Sequence, residues 1–102
     1  MAKDKDTIIK EILNYISECG GGNGNWYVGI ATYPRETLFN RHGVKENGDS
    51  WIYRECISSG IARDIEYYFV NSVGMAGGPG GGDDSTRYIY AYKMSPHTVE
   101  TA

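Results

Sequence analysis

Two glycine-rich runs cut this chain into short pieces and exclude any fold built on long elements. The first is Gly20-Gly21-Gly22-Asn23-Gly24-Asn25; the second runs from Gly74 to Ser85 with six glycines and one proline. Glycine loses more backbone freedom on ordering than any other residue, so both runs read as connectors, and Met75–Ser85 is expected to be loop. The 102 residues then suffice for one domain and one modest core. A core of that size leaves no room for a large enclosed cavity, so a site is expected to be a shallow groove.

Before the first connector, Ile8, Ile9, Ile12, Leu13 and Ile16 recur at helical spacing, which predicts a helix over 7–18 capped by Asp6 and stopped by Gly20. That apolar stripe serves either as a lid on a sheet or as a surface for a protein partner. Trp26 to Ala31 is short, apolar and partly β-branched, a strand. Pro34 suits a first helical turn, with Thr32 or Tyr33 as cap, and Gly43 ends that helix after His42. Trp51 to Ile57 alternates as a second strand. Ser58 or Ser59 caps a helix over 60–72 whose stripe is Ile61, Ile65, Phe69 and Val73. Thr86 to Met94 alternates as a third strand with Tyr88, Tyr90 and Tyr92 on one face. Three strands and three helices in alternation predict a small α+β domain, an α/β sandwich with a three-stranded, mainly antiparallel sheet. Residues 1–6 and 95–102 are expected to be flexible tails.

The formal net charge of −3 argues against coating nucleic acid by bulk electrostatics. Positive charge is nevertheless concentrated locally, because Arg35, Arg41, His42 and Lys45 fall within eleven residues. Cys19 and Cys56 lack a metal or redox spacing and are too few for a secreted disulfide framework, so both are expected to be reduced thiols. The N-terminus is polar and no long apolar segment occurs, which predicts a cytoplasmic protein with no membrane association, a monomer or weak homodimer.

Neither glycine run fits a nucleotide loop. A phosphate loop needs Lys-Ser or Lys-Thr after its glycines, and here Asp83-Asp84 follows; a dinucleotide loop must follow a strand, and Gly20–Asn25 precedes one. The 34–42 helix carries more. At 100° per residue Arg35, Leu38, Phe39 and His42 share one face, with Arg35 and His42 about 10 Å apart along it. Burying an arginine and a histidine is costly, so they either snorkel at the stripe's edges or face a polar site. Glu66 lies on the flank of its helix's apolar stripe, either a boundary residue or a single ligand for a hard cation such as Mg²⁺. Nine tyrosines, several in the strands, can pack, stack on bases or take part in proton transfer.

Tyr27-Val28-Gly29-Ile30 followed by Arg35, Leu38 and His42 resembles the second half of the GIY-YIG nuclease signature. Ala62-Arg63-Asp64-Ile65-Glu66 resembles that family's next helix, so the match covers residues 26–70. The Gly-Ile-Tyr strand that opens the family is missing from the N-terminus, whereas Tyr88-Ile89-Tyr90 stands at the other end of the chain. A circularly permuted arrangement would set the last strand antiparallel beside Trp26–Ala31. The resemblance implies hydrolysis of a phosphodiester in DNA or RNA. Glu66 would hold Mg²⁺ or Mn²⁺, Arg35 would stabilise phosphate charge, Tyr27 and Tyr90 would position or deprotonate water, and His42 would assist proton transfer or bind phosphate. It also implies that Tyr27, Arg35, Glu66 and one C-terminal tyrosine share a groove, with Glu66 facing Arg35. The alternatives are a non-catalytic relative that binds nucleic acid or a protein, and an unrelated small α+β module that matches these motifs by chance.

Overall fold

The computed structural model describes residues 2–77 and 82–101. Helix α1 spans Lys5–Glu18, strand β1 Trp26–Ala31, β2 Trp51–Glu55, helix α3 Ser59–Tyr68, β3 Ala76–Gly77 and β4 Tyr88–Lys93. Between β1 and β2, helix α2 begins at Pro34–Glu36 and widens into a π-helical turn over Thr37–Arg41. A second π-helical turn, Phe69–Val73, ends α3. The class is α+β, as the residue pattern predicts, with four strands instead of three.

The sheet order is β2-β4-β1-β3. β4 sits in the middle and runs antiparallel to both neighbours, with Gly29 opposite Tyr90 on one side and Tyr53 opposite Tyr90 on the other. The last strand therefore lies beside Trp26–Ala31, the neighbour expected of it. The fourth strand, β3, comes from within the glycine loop and pairs parallel with Tyr27 and Val28. Gly77 permits this, since a Cβ there would stand 2.6 Å from Val70 Cγ2 and 3.1 Å from the Val28 carbonyl.

Strand alternation separates two cores. One face sends Trp26, Val28, Ile52, Ile89 and Ala91 against α1 and α3. Ile8, Ile12 and Ile16 of α1 are buried there, so this helix is a lid on the sheet. Asp4, rather than Asp6, caps it by accepting from the Thr7 N–H at 2.8 Å. The opposite face carries Tyr27, Ala31, Tyr90 and Tyr92, covered by Leu38 and Val44.

Neither end is a free tail over the described residues. Lys3 donates its N–H to the Glu55 carbonyl at 3.1 Å, and its ammonium pairs with Glu11 at 2.7 Å. At the other end the Val99 N–H reaches the His42 carbonyl at 2.7 Å and Thr98 is buried. The expectation of flexible tails is thereby corrected for 2–6 and 95–101. Polarity alone fails here because backbone hydrogen bonds hold these segments. No described helix is long and apolar enough to cross a membrane.

Candidate functional site

Among the described residues β3 pairs with β1 at Tyr27 and Val28. A groove of about 530 Å³ lies along β1. Tyr27 and Tyr90 line it from the sheet, Arg41 and His42 from the π turn, Glu66 from α3, and Asp83 and Thr86 from the segment entering β4. Residues far apart in sequence converge because β4 lies beside β1 and α3 packs against both.

His42 is at the centre and is 1% exposed. Its Nδ1 lies 2.6 Å from the Val99 carbonyl oxygen, which only accepts, so Nδ1 carries the proton. Nε2 then holds a lone pair and accepts the Tyr90 hydroxyl at 2.7 Å. The Tyr92 oxygen stands 3.2 Å from Nδ1, and its own O–H donates to Glu100 at 2.9 Å. Tyr27 packs on the His42 ring at 5.0 Å and stacks on Tyr92 at 5.4 Å. An inward histidine on a helical stripe is thus fully satisfied rather than snorkelling to water.

Burial, with Tyr27 and Glu66 nearby, raises the Tyr90 hydroxyl well above the ordinary tyrosine range, and only the Arg41 charge acts to lower it. The phenol is therefore a proton donor to His42 and not a standing phenolate. Glu66 is 8% exposed, and its carboxylate makes no hydrogen bond or ion pair among the described residues. Desolvation lifts it to about 7, with Arg63 opposing from a distance. A carboxylate left nearly unpartnered at a groove is a mark of a functional site.

Arg35 is the exception among the anticipated residues. It does not line the groove; it pairs with Glu46 and lies over the Phe39 ring at 5.1 Å. The expected alignment with Glu66 is corrected. The cause is the π turn, in which His42 N–H bonds to Thr37 O, five residues back. The extra residue in that turn rotates the side chains beyond it by about a quarter turn relative to an α-helix. Arg41 takes the place at the groove instead, and the basic cluster already contains it. Thr86 is a site residue that the sequence pattern does not single out; it is buried, its hydroxyl meets Thr32 Oγ1 at 3.1 Å, and Asp83 of the acidic turn lines the groove beside it.

Gly29 has a defined job in this arrangement. A Cβ there would stand 2.6 Å from Tyr90 Cζ, so the phenol lies flat over the glycine. Gly29→Ala is expected to lever Tyr90 away from His42 and cost about 1–3 kcal/mol, a strain that shrinks when Tyr90 is also truncated. Urea unfolding of the two single variants and the double variant measures it, and strictly additive costs would contradict the contact.

No protein-family model, curated protein or solved structure matches the chain. The functional argument therefore rests on the groove itself.

Proposed function

We propose that the groove hydrolyses a phosphodiester of DNA or RNA, as the GIY-YIG resemblance implies, with Arg41 in the role expected of Arg35. The observation that carries this is the meeting of Tyr27, Tyr90, His42, Arg41 and Glu66 in one groove. Arg41 is exposed at the groove and free to reach a phosphate oxygen, where a guanidinium stabilises developing negative charge. A water held at Tyr90 Oη gives up its proton to the phenol as Tyr90 passes its own to His42 Nε2; the water oxygen bonds to phosphorus as the bond to the leaving oxygen breaks, and that oxygen takes a proton from solvent. The raised phenol then never has to exist as a free phenolate. The Val99 carbonyl keeps Nδ1 protonated, so Nε2 is the basic nitrogen.

Among the described residues no three His, Cys, Asp or Glu side chains gather to hold a metal by themselves. The lone Glu66 carboxylate fits a cation that keeps several waters and takes its other ligands from a phosphate, which is how Mg²⁺ binds. Bound there, Mg²⁺ or Mn²⁺ would supply Lewis-acid stabilisation of the phosphate. Glu66 is the residue that would hold it, and Tyr90 and His42 act on the proton whether or not it is bound. Two unpaired cysteines, one buried and raised to about 11 by burial, are compatible with a cytoplasmic location.

One observation favours the second reading, a non-catalytic relative: Arg35, which the resemblance requires at the site, is committed to Glu46. Incubation of the pure protein with DNA and RNA panels and Mg²⁺ or Mn²⁺ separates the two. We expect cleavage, about a hundredfold slower for Arg41→Ala and changed only a few-fold for Arg35→Ala. Cleavage absent from the parent protein, or equal in a Glu66→Gln control, ends the enzymatic reading.

A further inference from the structure

A second hollow, of about 270 Å³, opens beside the groove and shares Thr32 and Tyr33 with it. Its other walls are Arg35, Tyr53 and Tyr88. Tyr33 precedes Pro34, which keeps it out of the helix, and the residue is 70% exposed. Tyr53 and Tyr88 stand on the groove face of the sheet, half-buried, with rings edge to face at 6.0 Å. Tyr53 also stacks on Trp51 at 6.0 Å, and Trp51 meets Phe39 beneath the Arg35 guanidinium. This is an accessible series of flat rings in a chain this small, and the proton relay uses none of them.

We propose that this hollow is a base-stacking subsite for one unpaired nucleobase of a single-stranded nucleic acid whose neighbouring phosphate lies in the groove. The proposal rests on the nucleic-acid reading above and narrows its substrate to single strands. Two observations choose the single strand. The bases of a duplex are already stacked on each other and cannot offer a face to Tyr33 without flipping. The chain is also short of the charge needed to hold a duplex by its phosphates. Its net charge is −3, Glu36, Glu66 and Asp83 line the groove, and Arg35 is paired with Glu46. Affinity must then come largely from ring stacking, which tolerates any sequence because every base has a flat face.

The test uses the 102-residue Glu66→Gln protein without divalent metal, so that binding is read apart from cleavage. The anisotropy of a labelled mixed-sequence oligonucleotide, as DNA and as RNA, reports binding. The probes are the single strand, its duplex, and a strand of abasic linkers that keeps the phosphates. We expect the single strand to bind best in at least one chemistry. Tyr33→Ala should weaken it about tenfold or more, and Tyr33→Phe should retain it. The exposure of Tyr33 makes its removal harmless to folding. Duplex or abasic strand bound as tightly as the single strand, no binding of either single strand, or an unchanged Tyr33→Ala variant overturns the proposal. Stacking that depends on Tyr33 in a protein that never cleaves would instead leave the subsite standing and remove only the hydrolytic step.

Discussion

Glu66→Gln is expected to make the protein more stable at pH 8 while abolishing metal-dependent cleavage. The carboxyl group titrates near 7 in the fold against an ordinary value of 4.5, because burial disfavours its charge. Between those values the folded state holds a proton that the unfolded chain has released. Stability from this group is therefore full below about 4.5, falls as pH rises, and is lost above about 7. The shift corresponds to about 3 kcal/mol at most, and less once the new amide goes without a partner. Urea unfolding of parent and variant at pH 5 and pH 8 measures it. The variant's advantage should appear at pH 8 and nearly vanish at pH 5. Mg²⁺ should raise the midpoint of the parent and leave that of the variant unmoved, a readout independent of catalysis. A pH-independent difference would mean that Glu66 carries no buried charge, and equal Mg²⁺ responses would remove it as a ligand.

How much of this is legible in the sequence depends on whether a position follows a regular period. Tyr27, Tyr90 and Tyr92 share a face because strand side chains alternate, and the sequence shows that period directly. Glu66 on the flank of its stripe is likewise a matter of helical angle. Arg35 is misplaced by the same 100° step because its helix widens after Glu36. No residue type announces a π turn, which appears only when the Thr37 carbonyl finds the His42 N–H. β3 escapes for a related reason. Glycine-rich sequence reads as loop, yet the missing side chain of Gly77 is what lets that backbone approach Val28 and Val70. The C-terminal segment reads as frayed from its polarity, and what orders it is the backbone of Val99 on both sides of His42.

That last contact sets up the other large effect. His42→Ala is expected to destabilise the fold by about 3 kcal/mol, since it removes a buried ring and leaves one buried hydroxyl and one part-buried carbonyl without partners. The Tyr90 hydroxyl loses its acceptor, and the Val99 carbonyl loses its donor. In a domain of about a hundred residues each kcal/mol moves Tm by about 4–8 °C, so the variant should melt well below the parent. Amide exchange at Val99, slowed in the parent by its bond to the His42 carbonyl, should quicken as residues 97–101 come loose. Tyr90→Phe separates chemistry from architecture. It keeps the ring over Gly29 and the Val99 bond, and leaves only Nε2 without a partner, for about 1–2 kcal/mol. A folded Tyr90→Phe protein that has lost cleavage about a hundredfold supports a proton path through the phenol to His42. Cleavage at the parental rate would break that path and reduce His42 to a structural keystone joining the π turn, the sheet and the end of the chain.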